Sequence, residues 1–205
     1  MANEVLKNPL SEDFRDAFEY ANRMHRTQSR KGTQIPYIAH PLAVAALVLE
    51  DGGSEAEAIA ALLHDVLEDG EGTRPERAAY IAANFGDGVL ALVEGCSEAE
   101  TDRERGPENW LQRKRDYIAS LKNERPEVLR VSLADKVHNA RAILRDYQAE
   151  REALWARFNC KDGNQQMAYY RDLADQFMAL KCGPMAEELN RIVEELERER
   201  STAAG

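Results

Sequence analysis

The sequence predicts an all-α fold, and three features support that class. Apolar residues such as Phe14, Phe18 and Ala21 recur at helical spacing, and no segment shows the strict alternation of a strand. Two Ser/Thr-x-x-Glu sequences, beginning at Ser54 and Thr73, have the form of capping boxes that open helices. The length of 205 residues suits one domain with a substantial core. We therefore expect one domain, residues 1–205, that is a bundle of about eight to ten helices.

The first half of the chain alternates between apolar helical patterns and glycine or proline breaks. Ser11 followed by two acids is typical of an N-cap, and Pro41 suits the first turn of the next helix. Glycines 52, 53, 70 and 72 are expected to end helices. The helices expected here cover residues 11–29, 41–51, 54–69 and 73–84, and a further helix is expected after the turn at 85–87.

The second half predicts a helix over 110–121, a long helix from Pro126, and two or three amphipathic helices after about residue 150. Between them, residues 97–107 are polar and lack an apolar period, so we expect a loop there. Loops of this length are often functional, and whether this one covers a pocket or is only exposed is left open by the sequence.

The charge of the chain restricts its partners. A net charge of -10 and a pI near 5.0 argue against binding to nucleic acid or to anionic membranes. The segment 22–31 is the exception, because it carries Arg23, Arg26, Arg30 and Lys31 and no acid. These cations either terminate a helix in solvent or hold an anionic ligand.

The N-terminus and the cysteines indicate where the protein is expected to reside and which cysteine-based sites it is expected to lack. The N-terminus lacks a secretory apolar core and no run is long enough to span a membrane, so we expect a cytoplasmic protein. Cys96, Cys160 and Cys182 are odd in number and lack CxxC spacing. Neither a disulfide framework nor a structural zinc site is therefore indicated.

The segment 60–69, AALLHDVLED, is the centre of the chain's predicted chemistry. An apolar run there ends in His64, Asp65, Glu68 and Asp69. On a continuous helix His64 would stack on Glu68 and Asp65 on Asp69, so that one cation could sit between the two stripes. Buried imidazoles and carboxylates must be paired or hold a cation, since isolated buried charges are costly.

A second polar cluster lies in the long helix, where Asp135, His138 and Asn139 interrupt an apolar pattern. All four histidines, the other three being His25, His40 and His64, fall in such polar segments, which favours a shared site. A mixed set of imidazoles and carboxylates suits Mn, Fe or Zn better than Ca.

The order His40, then His64-Asp65, then Asp135 resembles the signature of HD-domain phosphohydrolases. The segments 25–31, 36–41, 64–69 and 133–139 resemble more closely the hydrolase domain of RelA/SpoT homologues, over about residues 14–146. This resemblance implies an HD-domain helical bundle and Mn-dependent removal of the 3′-pyrophosphate from guanosine tetra- and pentaphosphate, the alarmones of the stringent response. The chain has no room for the other domains of long family members and so resembles the stand-alone small alarmone hydrolases.

The resemblance also implies roles for individual residues. One divalent metal ion, expected to be Mn²⁺, would be held by His40, His64, Asp65 and Asp135. Glu68 and Asp69 would position and deprotonate the attacking water, while Arg30, Lys31 and Asn139 would contact the nucleotide. One departure is that Ala142 stands where the family pattern often has Thr.

Two alternative functions remain open at this stage. The first keeps a hydrolase but changes the substrate to another nucleotide, as in an NADPH phosphatase or a nucleotidase, because selectivity depends on the pocket more than on the fold. The second is a non-catalytic domain in which the metal joins helices and a nucleotide binds as a signal. The expected partner is in each case a small anionic nucleotide, with no nucleic acid and no membrane, and a homo-oligomer is left open.

Overall fold

The computed structural model describes residues 10–97 and 109–203, and within these ranges the fold is all-α, as predicted. The expected number of helices is also confirmed. A single short bridge between Ser29 and Pro36 is the only β-type pairing in the described part. The α-helices are α1 (Glu12–Met24), α2 (Ala39–Glu50), α3 (Glu55–Leu63), α4 (Val66–Asp69), α5 (Arg74–Cys96), α6 (Trp110–Leu121), α7 (Pro126–Glu150), α8 (Gly163–Ala179) and α9 (Pro184–Ala203), with a 3₁₀ helix at Arg151–Arg157 between α7 and α8.

Helix α3 crosses the centre of the molecule. Every residue from Ala58 to Leu63 is buried, because α1, α2, α5 and α7 pack around this helix. A helix with apolar residues on all sides needs such complete enclosure. Its C-terminal end, where the polar residues of the central motif begin, therefore lies deep among three other helices.

Both predicted capping boxes are present. Ser54 and Glu57 exchange hydrogen bonds at the start of α3, and Thr73 and Glu76 do so at the start of α5. The turn expected at 85–87 appears as a kink inside α5, where Gly86 has φ of 85°. A positive φ is accessible to glycine without steric cost, so this residue permits the change of direction.

Helix α1 is shorter than predicted. It ends at Met24 with His25 as its C-cap, not near residue 29. The following segment folds back on itself, because Arg30 N donates to Ile35 O (2.9 Å) and Tyr37 N donates to Gln28 O (3.0 Å). Arg30 and Lys31 thus lie in a compact loop and not at a helix terminus.

The predicted continuous helix through His64 to Asp69 is also wrong. Helix α3 ends at Leu63, residues 64–65 form a turn, and α4 is a separate short helix. The turn lets the neighbouring side chains of His64 and Asp65 approach the same point, with Nε2 and Oδ2 3.0 Å apart. On an uninterrupted helix the two would diverge by about 100°, so the expected stacking of His64 on Glu68 does not describe the site.

The C-terminal third packs against the long helix α7. Helix α9 contacts both α7 and α8, and α8 also contacts α6. The polar loop expected at 97–107 lies outside the described residues except for Ser97, which ends α5. The three cysteines are free, and no helix in the described ranges has the length and apolar character needed to cross a membrane.

A buried ion network fixes the helices that carry the polar cluster. Glu57 at the start of α3 accepts hydrogen bonds from Ser54 N and Oγ (2.7 Å each) and pairs with Arg130 of α7. Arg130 Nε also donates to Asp51 at the end of α2 (2.9 Å). Although burial opposes it, this bonding lowers the pKa of Glu57 below its ordinary value. The network therefore joins α2, α3 and α7 through charges that depend on one another.

Replacing Glu57 by Gln should lower the free energy of unfolding at pH 7 by about 1–2 kcal/mol, since Arg130 loses a charged partner. The pKa of Glu57 is lower in the folded state than in the unfolded state, where it is about 4.5. The contribution of Glu57 to the free energy of unfolding is therefore fully present above pH 4.5 and is lost as the pH falls through the folded-state pKa. Urea unfolding at several pH values checks both points. Glu127→Gln, at an exposed first-turn position of α7, is the control and should change the stability by no more than about 0.5 kcal/mol. If Glu57→Gln lowered the free energy of unfolding equally at pH 7 and pH 3, the ionised Glu57 carboxylate would not be the stabilising group.

Candidate metal and substrate site

Two imidazoles and two carboxylates meet at the junction of α2, α3 and α7. His40 comes from the first turn of α2, His64 and Asp65 from the turn after α3, and Asp135 from the middle of α7. The ligating atoms of His40, His64 and Asp65 all lie within 4.8 Å of one another. Asp135 Oδ1 is 3.1 Å from His40 Nε2 and 3.8 Å from His64 Nε2. The four residues predicted as ligands are thus adjacent in space.

The His64 ring presents one nitrogen to this cluster. Its Nδ1 donates to the carbonyl of Ala61 (2.8 Å), which leaves Nε2 facing the carboxylates. Nε2 is buried and makes no aligned hydrogen bond with any described residue, although Asp65 Oδ2 is only 3.0 Å away. An imidazole whose Nδ1 is fixed by a backbone carbonyl has its Nε2 oriented as a metal ligand, so His64 is placed to bind a cation at this cluster.

The electrostatics of the cluster favour a cation. Burial lowers the pKa of His64, but the carboxylates of Asp65 and Asp135 outweigh that effect and raise it to about 9. Burial raises the pKa of both carboxyl groups, yet the neighbouring imidazoles and Lys136 bring the net pKa below the ordinary value. The acids are therefore ionised, and positive charge in their midst is stabilising.

Several side chains that sequence reasoning did not assign hold the cluster in place. The Tyr37 hydroxyl donates to Asp65 Oδ2 (2.5 Å), and Lys136 Nζ lies 2.6 Å from Asp135 Oδ2. His40 Nδ1 is 2.7 Å from His138 Nδ1, so one of these nitrogens donates to the other. The sequence shows His138 as a polar residue in an apolar helix, but spacing along one helix cannot reveal a partner on another helix.

A cavity of about 580 Å³ opens on the cluster, and all nine residues predicted for the site line it. Arg30 and Lys31 reach it from the loop before α2. Glu68 and Asp69 reach it from α4, where Glu68 is half-buried and Asp69 is exposed. The ninth residue, Asn139, lies one turn beyond Asp135 on α7.

Arg30 is linked to Asp135 through Asn139. Arg30 Nη2 donates to Asn139 Oδ1 (2.5 Å), and Asn139 Nδ2 donates to Asp135 Oδ1. The Arg30 guanidinium also lies 5.7 Å from the ring centroid of Tyr37. These contacts hold a cation at the cavity wall within two hydrogen bonds of the acid cluster.

The position of α4 depends on a buried arginine that the sequence did not single out. Arg77 of α5 donates to the carbonyls of Leu67 and Gly70 (2.7 Å each) and to that of Gly72. These carbonyls belong to the end of α4 and the loop after it, and the Asp69 carbonyl accepts a further hydrogen bond from Gln28 Nε2 (2.6 Å). Both contacts fix the backbone that carries Glu68 and Asp69.

The opposite wall of the cavity comes from parts of the chain for which no role was predicted. It includes Lys114 and Tyr117 of α6 and Tyr169 and Tyr170 of α8. In the sequence these aromatic residues only indicate the apolar face of a helix, so their exposure to a cavity could not be read from spacing.

Comparison with known proteins agrees with this architecture. The family model for the HD domain matches residues 17–164. A probable guanosine-3′,5′-bis(diphosphate) 3′-pyrophosphohydrolase of Synechocystis is 39% identical over 132 residues, which are 62% of this chain and 16% of that protein. A Streptomyces coelicolor GTP pyrophosphokinase is 31% identical over 186 residues, 87% of this chain and 21% of that protein. The chain thus spans about a fifth or less of these two relatives.

Shorter proteins match over more of their length. The human guanosine-3′,5′-bis(diphosphate) 3′-pyrophosphohydrolase MESH1 is 36% identical over 133 residues, 63% of this chain and 69% of that protein. The solved structure of a metazoan SpoT orthologue, described as hydrolysing ppGpp, superposes with a TM-score of 0.72 at 23% identity and covers 93% of this chain and 98% of its own. The chain belongs to the HD-domain family and is related, within that family, to the guanosine-3′,5′-bis(diphosphate) 3′-pyrophosphohydrolases.

Proposed function

We propose that the protein is a divalent-metal-dependent hydrolase that removes the 3′-pyrophosphate from guanosine 3′,5′-bis(diphosphate) and its pentaphosphate analogue. The observation that carries the proposal is one cavity in which a cluster of two imidazoles and two carboxylates stands beside cations from the loop before α2. The names of the relatives, including the human protein, supply the substrate class.

The donor set fits a metal ion. His40, His64, Asp65 and Asp135 offer two imidazole nitrogens and two ionised oxygens, a mixed set that suits Mn²⁺ or another first-row divalent metal. Orientation of the ligands by outer partners, as Ala61 orients His64 and Tyr37 orients Asp65, is typical of metal centres. A metal bound there would lower the pKa of a water molecule by several units and so supply a nucleophile at neutral pH.

The residues around the cluster would transfer the proton and neutralise the charge of the substrate. Water adds its oxygen to the inner phosphorus of the 3′-pyrophosphate, the bond from that phosphorus to the 3′ oxygen breaks, and the 3′ oxygen takes up a proton. The carboxylate of Glu68 or Asp69 accepts the proton that the water loses. Arg30 and Lys31 neutralise the substrate phosphates, and the Arg30 plane can stack on the purine.

The choice among nucleotides depends on details of the same cavity. Ala142 lines it, at the position where the family pattern often has a threonine hydroxyl. Incubation of the Mn-loaded protein with a panel of nucleotides, followed by chromatography, tests the proposal directly. We expect pyrophosphate release from guanosine 3′,5′-bis(diphosphate), while release of orthophosphate from NADPH or from nucleoside monophosphates alone would favour a phosphatase or nucleotidase.

Replacing Asp65 by Ala should remove most of the bound metal, because the cluster loses the carboxylate that approaches both imidazoles. Elemental analysis of the purified protein measures this stoichiometry. Asp69→Ala, which changes an exposed acid at the rim of the cavity, serves as the control and should retain the metal. Unchanged metal content in Asp65→Ala would refute the ligand assignment.

Glu68→Gln should keep its metal and lose activity by about 100-fold or more, as expected when a general base is removed. Turnover and metal content measured on the same preparation separate the two effects. If turnover stayed near normal, Glu68 would have no part in proton transfer. If the variant lost its metal together with its activity, Glu68 would instead be a metal ligand.

Arg30→Ala should raise KM for the guanosine substrate at least about tenfold with metal content intact, since a charge-assisted contact to phosphate is lost. Arg30→Lys should restore binding only in part, because the ammonium keeps the charge but not the planar surface. Arg26→Ala, an exposed cation of the same segment outside the cavity lining, is the matched control. The same KM in Arg30→Ala and Arg26→Ala would mean that Arg30 does not hold substrate.

A further inference from the structure

His138 lines the cavity, but the function proposed above gives it no role. It lies on α7, three residues after Asp135, so both side chains project from the same face of that helix. Its Nδ1 is 2.7 Å from Nδ1 of His40, and the two rings are tilted by 36° with their centroids 4.9 Å apart. One helix therefore brings to the site both a candidate metal ligand and a partner for a second candidate ligand.

We propose that His138 is a positioning residue for the metal site. It accepts the proton of His40 Nδ1 and thereby keeps the lone pair of His40 Nε2 directed at the cation. His138 makes no covalent bond and stays neutral in this role, with its own proton on Nε2. The inference rests on the metal-dependent part of the proposed function, because it concerns a residue that acts through one of the proposed ligands.

The first support is the chemistry of a neutral imidazole, which has one N–H and one lone pair. Nε2 of His40 lies 3.5 Å from Asp65 Oδ2 and 3.1 Å from Asp135 Oδ1. If this nitrogen carried the proton, it would donate to a carboxylate and could not bind a cation. A cation at the cluster therefore requires the His40 proton on Nδ1, where Nδ1 of His138 is the acceptor that the described residues offer.

The second support is the burial of His40, which is only 1% exposed, so that water cannot replace a lost partner of its ring. A buried N–H without an acceptor is costly, and the other tautomer, with the proton on Nε2, would avoid that cost. The Nδ1 of His64 instead donates to the backbone carbonyl of Ala61, which no substitution removes. The tautomer of His40 thus depends on a side chain, whereas that of His64 depends on the main chain.

The third support is the charge around His138. The next residue, Asn139, accepts a hydrogen bond from Arg30, the cation that we assign to the substrate phosphates. A carboxylate in place of His138 could also accept the His40 proton, as carboxylates commonly do in metal centres. It would, however, add a negative charge on the side of the cavity that holds Arg30. A neutral acceptor orients the metal ligand without repelling an anionic substrate.

Metal affinity, measured on the full chain without substrate, tests this role. Calorimetric titration of the metal-free protein with Mn²⁺ compares wild type with three variants. His138→Leu lacks an acceptor and should bind Mn²⁺ about 10- to 100-fold more weakly, the usual effect of removing an outer partner of a ligand. His138→Asn has nearly the same shape but carries an oxygen at the position of Nδ1, so it should bind within about threefold of wild type. His138→Asp should bind at least as tightly as His138→Asn.

Gln148→Leu is the matched control, because it makes the same kind of change at an exposed position of α7 and should leave the Mn²⁺ affinity unchanged. Thermal unfolding of the metal-free proteins shows whether a loss of fold contributes. Equal Mn²⁺ affinity in His138→Leu and wild type would overturn the proposal, and so would equal weakening in His138→Leu and His138→Asn. Should His138→Leu not fold, weak binding by His138→Asn overturns the proposal and near-normal binding supports it.

Steady-state kinetics on Mn-saturated protein separates this inference from the proposed function. His138→Asp should have a KM for guanosine 3′,5′-bis(diphosphate) about tenfold above that of His138→Asn, because its charge stands beside Arg30. The expected order of metal affinities without hydrolysis of any nucleotide 3′-pyrophosphate would remove the proposed function and leave the role of His138 standing. Normal hydrolysis with the same metal affinity in wild type and all three variants would do the reverse.

Discussion

The structure depends on the mutual compensation of two imidazoles and two carboxylates at the junction of α2, α3 and α7. Ionised acids removed from water are stable only beside positive charge and hydrogen-bond donors. His64 and Lys136 supply the positive charge, and Tyr37 and Asn139 donate the hydrogen bonds. The helices that carry these groups must therefore meet at one point. The ion pair between Glu57 of α3 and Arg130 of α7, one to two helical turns from the cluster, holds the same two helices together.

The same compensation bears on how an acidic chain would hold the nucleotide that we propose as its substrate. With a net charge of -10, long-range attraction is unfavourable, so affinity must come from contacts shorter than the screening length. Cations are accordingly concentrated in the cavity, on the loop before α2 and on the wall of α6 and α7. Arg30, through Asn139, and Lys136 are both bonded to Asp135, so one of the acids that would hold the metal also positions these two cations.

The two helix boundaries that sequence patterns misplaced both lie at this site. Apolar residues continue past Leu63 at Val66 and Leu67, yet α3 breaks at His64, and α1 stops at Met24 although no glycine or proline occurs before Gly32. In each case a tertiary requirement overrides local propensity. The loop that carries Arg30 must turn back toward α7, and two successive side chains must converge on one point, which an α-helix does not permit.

The sequence by itself determined the all-α class, the capping boxes and the change of direction at Gly86. These features depend on composition and on spacing within one element, which are local properties of the chain. Only the tertiary structure decided which side chains meet. The contacts of His138 with His40, of Tyr37 with Asp65 and of Arg77 with the end of α4 join residues between 10 and 98 positions apart. The same holds for the wall formed by α6 and α8, because a helical pattern shows that a face is apolar but not whether a neighbouring helix or a cavity lies against it.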